Sequence, residues 1–101
     1  MEINKAKIAE FCRRWGVREF SLFGSAASGE ERPDSDIDVM VDFQPEVRRD
    51  MFDLVHMQDE LSALFGGREV DIITRRGLER SRNPIRKRGI MDSLRQVYVA
   101  G

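Results

Sequence analysis

A chain of 101 residues is long enough for one domain with one hydrophobic core. With 41% hydrophobic and 35% charged residues its composition excludes a disordered chain, and no apolar run approaches the roughly 20 residues of a membrane span. The net charge of −1 conceals a split, because residues 1–71 carry −7 and residues 72–101 carry +6.

The first predicted elements are a helix over Lys5–Trp15 and a strand over Val17–Phe23. Gly16, between them, suits the left-handed backbone that ends a helix. The apolar residues of the helix recur at the spacing of one helical face, which predicts that this face is buried: Ile8, Phe11, Cys12 and Trp15.

A second strand is predicted over Asp36–Phe43, after a loop that contains Gly24-Ser25 and Arg32-Pro33-Asp34. Its residues alternate between apolar and mostly acidic types, as in a strand that presents one face to a core. The predicted core face has Ile37, Val39, Val41 and Phe43, and the other has Asp36, Asp38, Met40 and Asp42.

Asp50 is predicted to cap a helix over Met51–Phe65 whose apolar stripe is Met51, Leu54, Val55, Leu61, Leu64 and Phe65. A third strand follows over Glu69–Thr74. Asn83-Pro84 is predicted to open a last helix that ends near Gln96, and Val97–Val99 to add a short strand. This order predicts an α/β (α+β) fold, a small mixed sheet with helices packed on it, as a single domain over 1–101.

The acidic strand is the strongest indication of chemistry. Asp36 and Asp38 project from one strand face about 6.6 to 7 Å apart, which suits a pair of divalent ions roughly 3.5–4 Å apart. Asp71 is a candidate third ligand, because an acid within an apolar strand destabilises the fold unless it is paired or ligated. Mg²⁺ prefers such oxygen ligands. The competing interpretation is an edge strand with a solvated acidic face.

Gly24 and Ser25 are candidate phosphate-binding residues. Glycine lets the backbone approach a phosphate closely, and Ser25 adds a hydroxyl and an amide donor. No Gly-Lys-Ser/Thr follows, so this is not the P-loop pattern. The pair is informative because Asp36 follows Ser25 by eleven residues.

The stretch Leu22-Phe23-Gly24-Ser25, Gly29 and Asp34-Ser35-Asp36-Ile37-Asp38-Val39 resembles the signature of nucleotidyltransferases related to DNA polymerase beta. The short length and Val70–Thr74 resemble the minimal nucleotidyltransferase (MNT) branch, and the resemblance covers nearly the whole chain.

The resemblance implies a nucleotidyltransferase fold, Mg²⁺ (two ions) and ATP as substrate. It implies an antitoxin, of the type VII kind, that transfers AMP to a tyrosine of a HEPN-family ribonuclease encoded beside it. By motif, Gly24 and Ser25 would hold the triphosphate, and Asp36, Asp38 and Asp71 would bind metal and act in catalysis. Asp71 would also assist deprotonation of the acceptor hydroxyl.

One departure from the family pattern keeps a second interpretation open. Many members have basic residues at the positions of Ala26 and Ser28. Their absence favours an antitoxin that neutralises its partner by binding alone, helped by an apolar surface predicted near the end of the chain: Ile90, Met91, Leu94, Val97 and Val99. Arg32, or the basic run from Arg75 to Arg88, would otherwise have to compensate.

The basic last third suggests a third and weaker interpretation, nucleotide transfer to RNA or to a small hydroxylated compound. Nucleic acid is not the expected substrate, because 101 residues leave no room for an acceptor-binding domain. Cys12 is the only cysteine and the chain starts without an apolar leader, so we expect a cytoplasmic protein with no membrane partner.

Overall fold

A computed structural model of the chain describes residues 3–24, 27 and 36–100. Within these ranges no helix has the length and apolar character needed to cross a membrane. The elements in chain order are α1 Lys5–Trp15, β1 Val17–Phe23, β2 Ile37–Phe43, α2 Met51–Leu64, β3 Val70–Thr74, α3 Arg75–Glu79, α4 Pro84–Asp92 and β4 Arg95–Val99.

The strands form one sheet in the order β3-β2-β1-β4. β2 and β3 run parallel, whereas β1 is antiparallel to β2 and to β4. The predicted small mixed sheet is therefore confirmed. In this arrangement the first residues of β2 and β3 lie at the edge of the sheet where β1 ends.

One face of the sheet, here called the core face, is covered by α1 and α2. Asn4 caps α1 by accepting a hydrogen bond from the Lys7 amide at 3.1 Å, and Gly16 ends the helix at φ 74°. The rings of Phe11 and Phe20 meet edge to face with centroids 6.3 Å apart. The residues that are at most 2% exposed include Ile8, Phe11, Cys12, Val17, Phe20, Leu22, Ile37, Val39, Val41, Met57 and Leu61.

The opposite face, here called the site face, carries a smaller apolar cluster under α3 and α4. It joins Phe23 and Met40 of the sheet to Leu78 of α3 and Ile90 of α4. Met40 lies away from the main core, as predicted, yet it is fully buried. The cluster shows that the site face is only partly open to solvent.

The prediction of an apolar surface near the end of the chain is wrong. Ile90, Met91 and Leu94 complete the site-face cluster, and Val97 packs against the main core. Only Val99 of that set is strongly exposed, at 56%. Ile90, Met91 and Leu94 thus cover the site face, which the sequence pattern, with only one predicted core face, did not predict to be covered.

The end of the chain differs from the sequence prediction in two further ways. The last helix ends at Asp92 instead of near Gln96, and the whole of Arg95–Val99 pairs with β1. Pairing with β1 satisfies the backbone N–H and C=O groups along that side of the strand. The stability gained in this way outweighs that of one more helical turn. The short helix α3 was not among the predicted elements; it is capped by Thr74, whose Oγ1 accepts from the Gly77 amide at 3.0 Å.

The first turns of α2 also differ from the prediction. Asp50 caps the helix as expected, and its Oδ1 accepts from the Asp53 amide at 2.9 Å. Met51 and Val55, however, are 74% and 48% exposed, and Phe52 is 77% exposed. Of the predicted stripe only Leu61 and Phe65 are buried, and the helix packs against the sheet mainly through β3.

Candidate active site

The predicted acids meet at the edge of the sheet where β1 ends and β2 and β3 begin. In register, Phe23 of β1 lies opposite Asp38 of β2, and Asp38 lies opposite Asp71 of β3. Neighbouring strands are about 4.8 Å apart, so the carboxylates of Asp38 and Asp71 leave the same face as close neighbours. Asp36 immediately precedes β2 and is exposed, as is Asp71.

Asp38 lies in a field of negative charge. The pKa of its carboxyl is raised above the ordinary value, first because partial burial disfavours the charged form, and then because of the charges of Asp71 and Asp36. Asp71 and Asp36, two of the expected metal ligands, therefore repel the charge of the third, Asp38. A group of carboxylates that repel one another is the arrangement that a bound cation would relieve.

Gly24 approaches the carboxylate of Asp38 more closely than any other residue type allows. Its φ is +67°, and a Cβ at this position would lie 2.9 Å from Asp38 Oδ2. Its carbonyl accepts a hydrogen bond from the Ala27 amide at 3.2 Å. Gly24 therefore places backbone directly beside the acidic group.

Ser25, the second predicted nucleotide-binding residue, lies outside the described residues. The same holds for Ala26, Ser28, Arg32 and Asp34. The phosphate-binding half of the predicted site thus remains a sequence prediction, apart from Gly24.

Asp36, Asp38 and Asp71 are candidate metal ligands. Among residues 3–24, 27 and 36–100, no three or more His, Cys, Asp or Glu side chains are already gathered around one point where they could hold an ion. The donor chemistry fits a divalent cation nonetheless, since Asp36, Asp38 and Asp71 offer hard oxygen atoms and share one edge. Burial, and then the charges of Asp71 and Asp36, raise the pKa of Asp38. The role of the three acids as metal ligands stays a prediction.

Other charged residues of the site face form ion pairs away from the three acids. Asp42 pairs with Arg18, towards the far end of β2. Arg75, from the basic run, pairs with Glu19 at 3.3 Å and with Glu79 at 3.3 Å. Glu19 pairs in register with Asp42, so Arg75 lies at the end of the sheet away from Gly24.

Sequence reasoning missed Ser21, a polar residue beneath the site face. It is 1% exposed, its neighbours in register are Met40 and Gln96, and its Oγ has no hydrogen-bond partner within the described residues. The sequence of Val17–Phe23 gave no indication that this strand would be covered on both faces.

A mixed sheet with three acids at one edge and a glycine turn beside them defines a nucleotidyltransferase-like domain. The chain matches the family described as nucleotidyltransferase domain over residues 5–97. It belongs to that family and is a nucleotidyltransferase enzyme.

Two relatives identify the branch of the family. The chain is 40% identical over 76 residues to a candidate protein adenylyltransferase of Methanocaldococcus jannaschii, covering 73% of this chain and 78% of that protein. It is 39% identical over 70 residues to the protein adenylyltransferase MntA of Thermococcus cleftensis, covering 69% of this chain and 68% of that protein. The branch is thus that of the minimal nucleotidyltransferases.

Solved structures confirm the fold. A candidate minimal nucleotidyltransferase that is 33% identical superposes with a TM-score of 0.68, covering 90% of this chain and 86% of that one. A toxin-antitoxin structure with AMP-PNP superposes with a TM-score of 0.74 at 20% identity (97% and 75% covered). A tri-AMPylated Shewanella oneidensis HEPN toxin in complex with an MNT antitoxin gives 0.65 at 19% identity (96% and 71% covered). At such identities the last two show the fold alone.

Proposed function

We propose that this chain is an antitoxin that transfers AMP from ATP to a tyrosine of a HEPN-family ribonuclease toxin, with which it forms a hetero-oligomer. The observation that carries the proposal is the register of Asp38 with Asp71, beside Gly24 and next to Asp36. The relative named protein adenylyltransferase MntA supports the reaction. The solved toxin-antitoxin complexes of like fold support the choice of partner.

The transfer forms one bond and breaks another. The acceptor oxygen bonds to the α-phosphorus of ATP, and the bond from that phosphorus to the bridging oxygen breaks, so that pyrophosphate leaves. Asp71 accepts the proton of the acceptor hydroxyl, since it is exposed at the edge and lies opposite Asp38. Gly24 gives the triphosphate access to backbone, and Ser25 supplies donors to its oxygens.

Asp36, Asp38 and Asp71 would hold Mg²⁺ in this scheme, as a pair of ions. Bound Mg²⁺ supplies positive charge to the triphosphate and steadies the leaving pyrophosphate. The raised pKa of Asp38 supports this assignment, because the group lies where added positive charge is favourable.

Labelled ATP tests the proposal directly. The chain is incubated with ATP carrying label on the α-phosphate, Mg²⁺ and the HEPN partner encoded beside it, and label on a partner tyrosine is expected. Asp36→Asn with Asp38→Asn should abolish labelling, while Asp59→Asn, an exposed acid of α2, should leave it unchanged. Label transfer that survives the double substitution would contradict the assignment of these acids.

Neutralisation by binding alone is the second candidate. It is favoured by the exposed apolar side chains of Met51, Phe52 and Val55, which the described residues leave uncovered. It predicts a stable complex and toxin inhibition that the Asp36→Asn, Asp38→Asn double variant retains. Loss of inhibition in that variant, with the complex still formed, would exclude it.

A further inference from the structure

A cavity lies at the end of the sheet opposite the acidic edge. It has a volume of about 350 Å³ and is bounded by the last residues of β2, by the segment that follows to Arg49, and by Thr74 and Arg76. A strand rises about 3.3 Å per residue, so Phe43 at this end is roughly 17 Å from Asp38. The cavity is therefore separate from the nucleotide-transfer edge.

Three guanidinium groups give the cavity its charge: those of Arg48, Arg49 and Arg76. Among the described residues Asp42 is the one acid in its wall, and it is already paired with Arg18. Arg48 and Arg76 are exposed, and neither has an ion-pair partner in the described part of the chain. The planar donors of arginine match the oxygens of a phosphate, so the excess positive charge favours an anion.

Arg49 is held in place before any ligand binds. Its Nε and Nη2 donate to the carbonyl oxygen of Trp15 at 3.1 and 2.9 Å. Its guanidinium carbon lies 4.9 Å from the centre of the Trp15 ring, a cation–π contact. A cation fixed in this way loses little conformational freedom on binding, which favours affinity.

The remaining wall is apolar, and the size suits a small molecule. Phe43, Pro45 and Val47 line one side. Cavities of about 300–1,000 Å³ with a few polar groups are typical of small-ligand sites. We propose that this cavity binds a small organic phosphate, with the phosphate on Arg48, Arg49 and Arg76 and the organic part against the apolar wall. This site goes beyond the proposed transfer reaction.

Trp15 reports on this site, because it is the only tryptophan and stacks with Arg49. The full chain is titrated with AMP in the presence of EDTA while Trp15 fluorescence is followed. A saturable change is expected. Arg48→Ala with Arg76→Ala should weaken AMP binding at least about tenfold, and Arg82→Ala, an exposed cation outside the cavity, should alter it less than about twofold.

Further outcomes of the titration would support or overturn the proposal. Inorganic phosphate as a separate probe should bind at least about tenfold more weakly than AMP, and equal affinity would contradict a role for the apolar wall. An absence of saturation up to about 10 mM AMP would overturn the proposal. So would an equal loss in Arg82→Ala, which would mean non-specific charge, or unchanged affinity in the double variant. Thermal unfolding of the double variant and of Arg76→Ala alone verifies that they are folded.

Discussion

The two faces of the sheet differ in what they bury. The core face is filled by large side chains such as Phe11, Phe20 and Leu22, all without exposure. The site face combines a small apolar cluster with the acids at one end and the pair Arg75–Glu19 at the other. The comparison indicates that the core face supplies most of the stability, whereas the site face carries the charged groups, among them the acids that are proposed to act in catalysis.

Phe20→Ala tests the core face and should have the largest effect. Removing this fully buried ring should lower the free energy of unfolding by about 3–5 kcal/mol, a large part of the roughly 5–15 kcal/mol of a typical domain. Phe52→Ala, in a residue that is 77% exposed, should change it by less than about 0.5 kcal/mol. Denaturant unfolding measures both, and similar losses would contradict the division of the faces.

Asp38→Asn tests the site face, where the expected effect is on activity. Adenylyl transfer should fall at least about 100-fold, equivalent to about 2.7 kcal/mol of transition-state stabilisation. The free energy of unfolding at neutral pH should not fall, because the substitution removes a charge that Asp71 and Asp36 repel. Asp59→Asn serves as the matched control. A variant that loses stability as Phe20→Ala does would show that Asp38 is mainly structural.

The acids show how far the sequence could predict the site. The alternation of residues 36–43 predicted Asp36 and Asp38 on one strand face, although β2 begins at Ile37, and chemistry singled out Asp71 as an acid in an apolar strand. The registry of Asp38 with Asp71 depends on β2 and β3 being adjacent and parallel, which no local pattern specifies. The contact of Gly24 with Asp38 likewise arises only when β1 ends beside β2.

The sequence predicts a helix or strand well where its apolar residues recur at one regular spacing. It predicts less well those segments whose structure depends on contacts with distant parts of the chain. Val17 and Phe20 both enter the core face although a regular strand would place them on opposite faces. A bulge between Val17 and Glu19 shifts the register and reconciles them. The helix α3 and the full length of Arg95–Val99 depend on contacts with distant strands, so local propensity did not reveal them.

Gly24→Ala tests whether the close approach of Gly24 positions the carboxylate of Asp38. The left-handed backbone costs a non-glycine residue about 1–2 kcal/mol, and the new Cβ would lie 2.9 Å from Asp38 Oδ2. We expect transfer activity to fall about tenfold or more, because the carboxylate must move away. Gly66→Ala is the matched control, since its φ is +74° and a Cβ there meets nothing within 4 Å. Equal activity in the two variants would contradict the positioning role.

Ser21→Ala tests how much stability is lost by burying the Ser21 hydroxyl beneath the site face. Its hydroxyl is buried without a hydrogen-bond partner among the described residues, so its removal should raise the free energy of unfolding by about 1 kcal/mol. Ser62→Ala, a partly exposed serine of α2, should change it by less than about 0.5 kcal/mol. Denaturant midpoints compare the two, and a loss of stability in Ser21→Ala would mean that the hydroxyl makes a bond that stabilises the fold.

The smallest expected effect is a pH dependence of the free energy of unfolding that comes from Asp38 at the acidic edge. The pKa of Asp38 is raised in the folded chain by burial and then by Asp71 and Asp36, so the folded state holds this proton more tightly than the unfolded state. Its contribution to stability is then fully present below the ordinary pKa of about 3.9 and is lost as pH rises through the raised value. In the absence of Mg²⁺, the stability of the natural chain relative to Asp38→Asn should therefore decrease from about pH 4 upward and then level off. A difference that increases with pH would mean that the edge attracts negative charge even without a cation, and the acids would then not need a metal to be stable together.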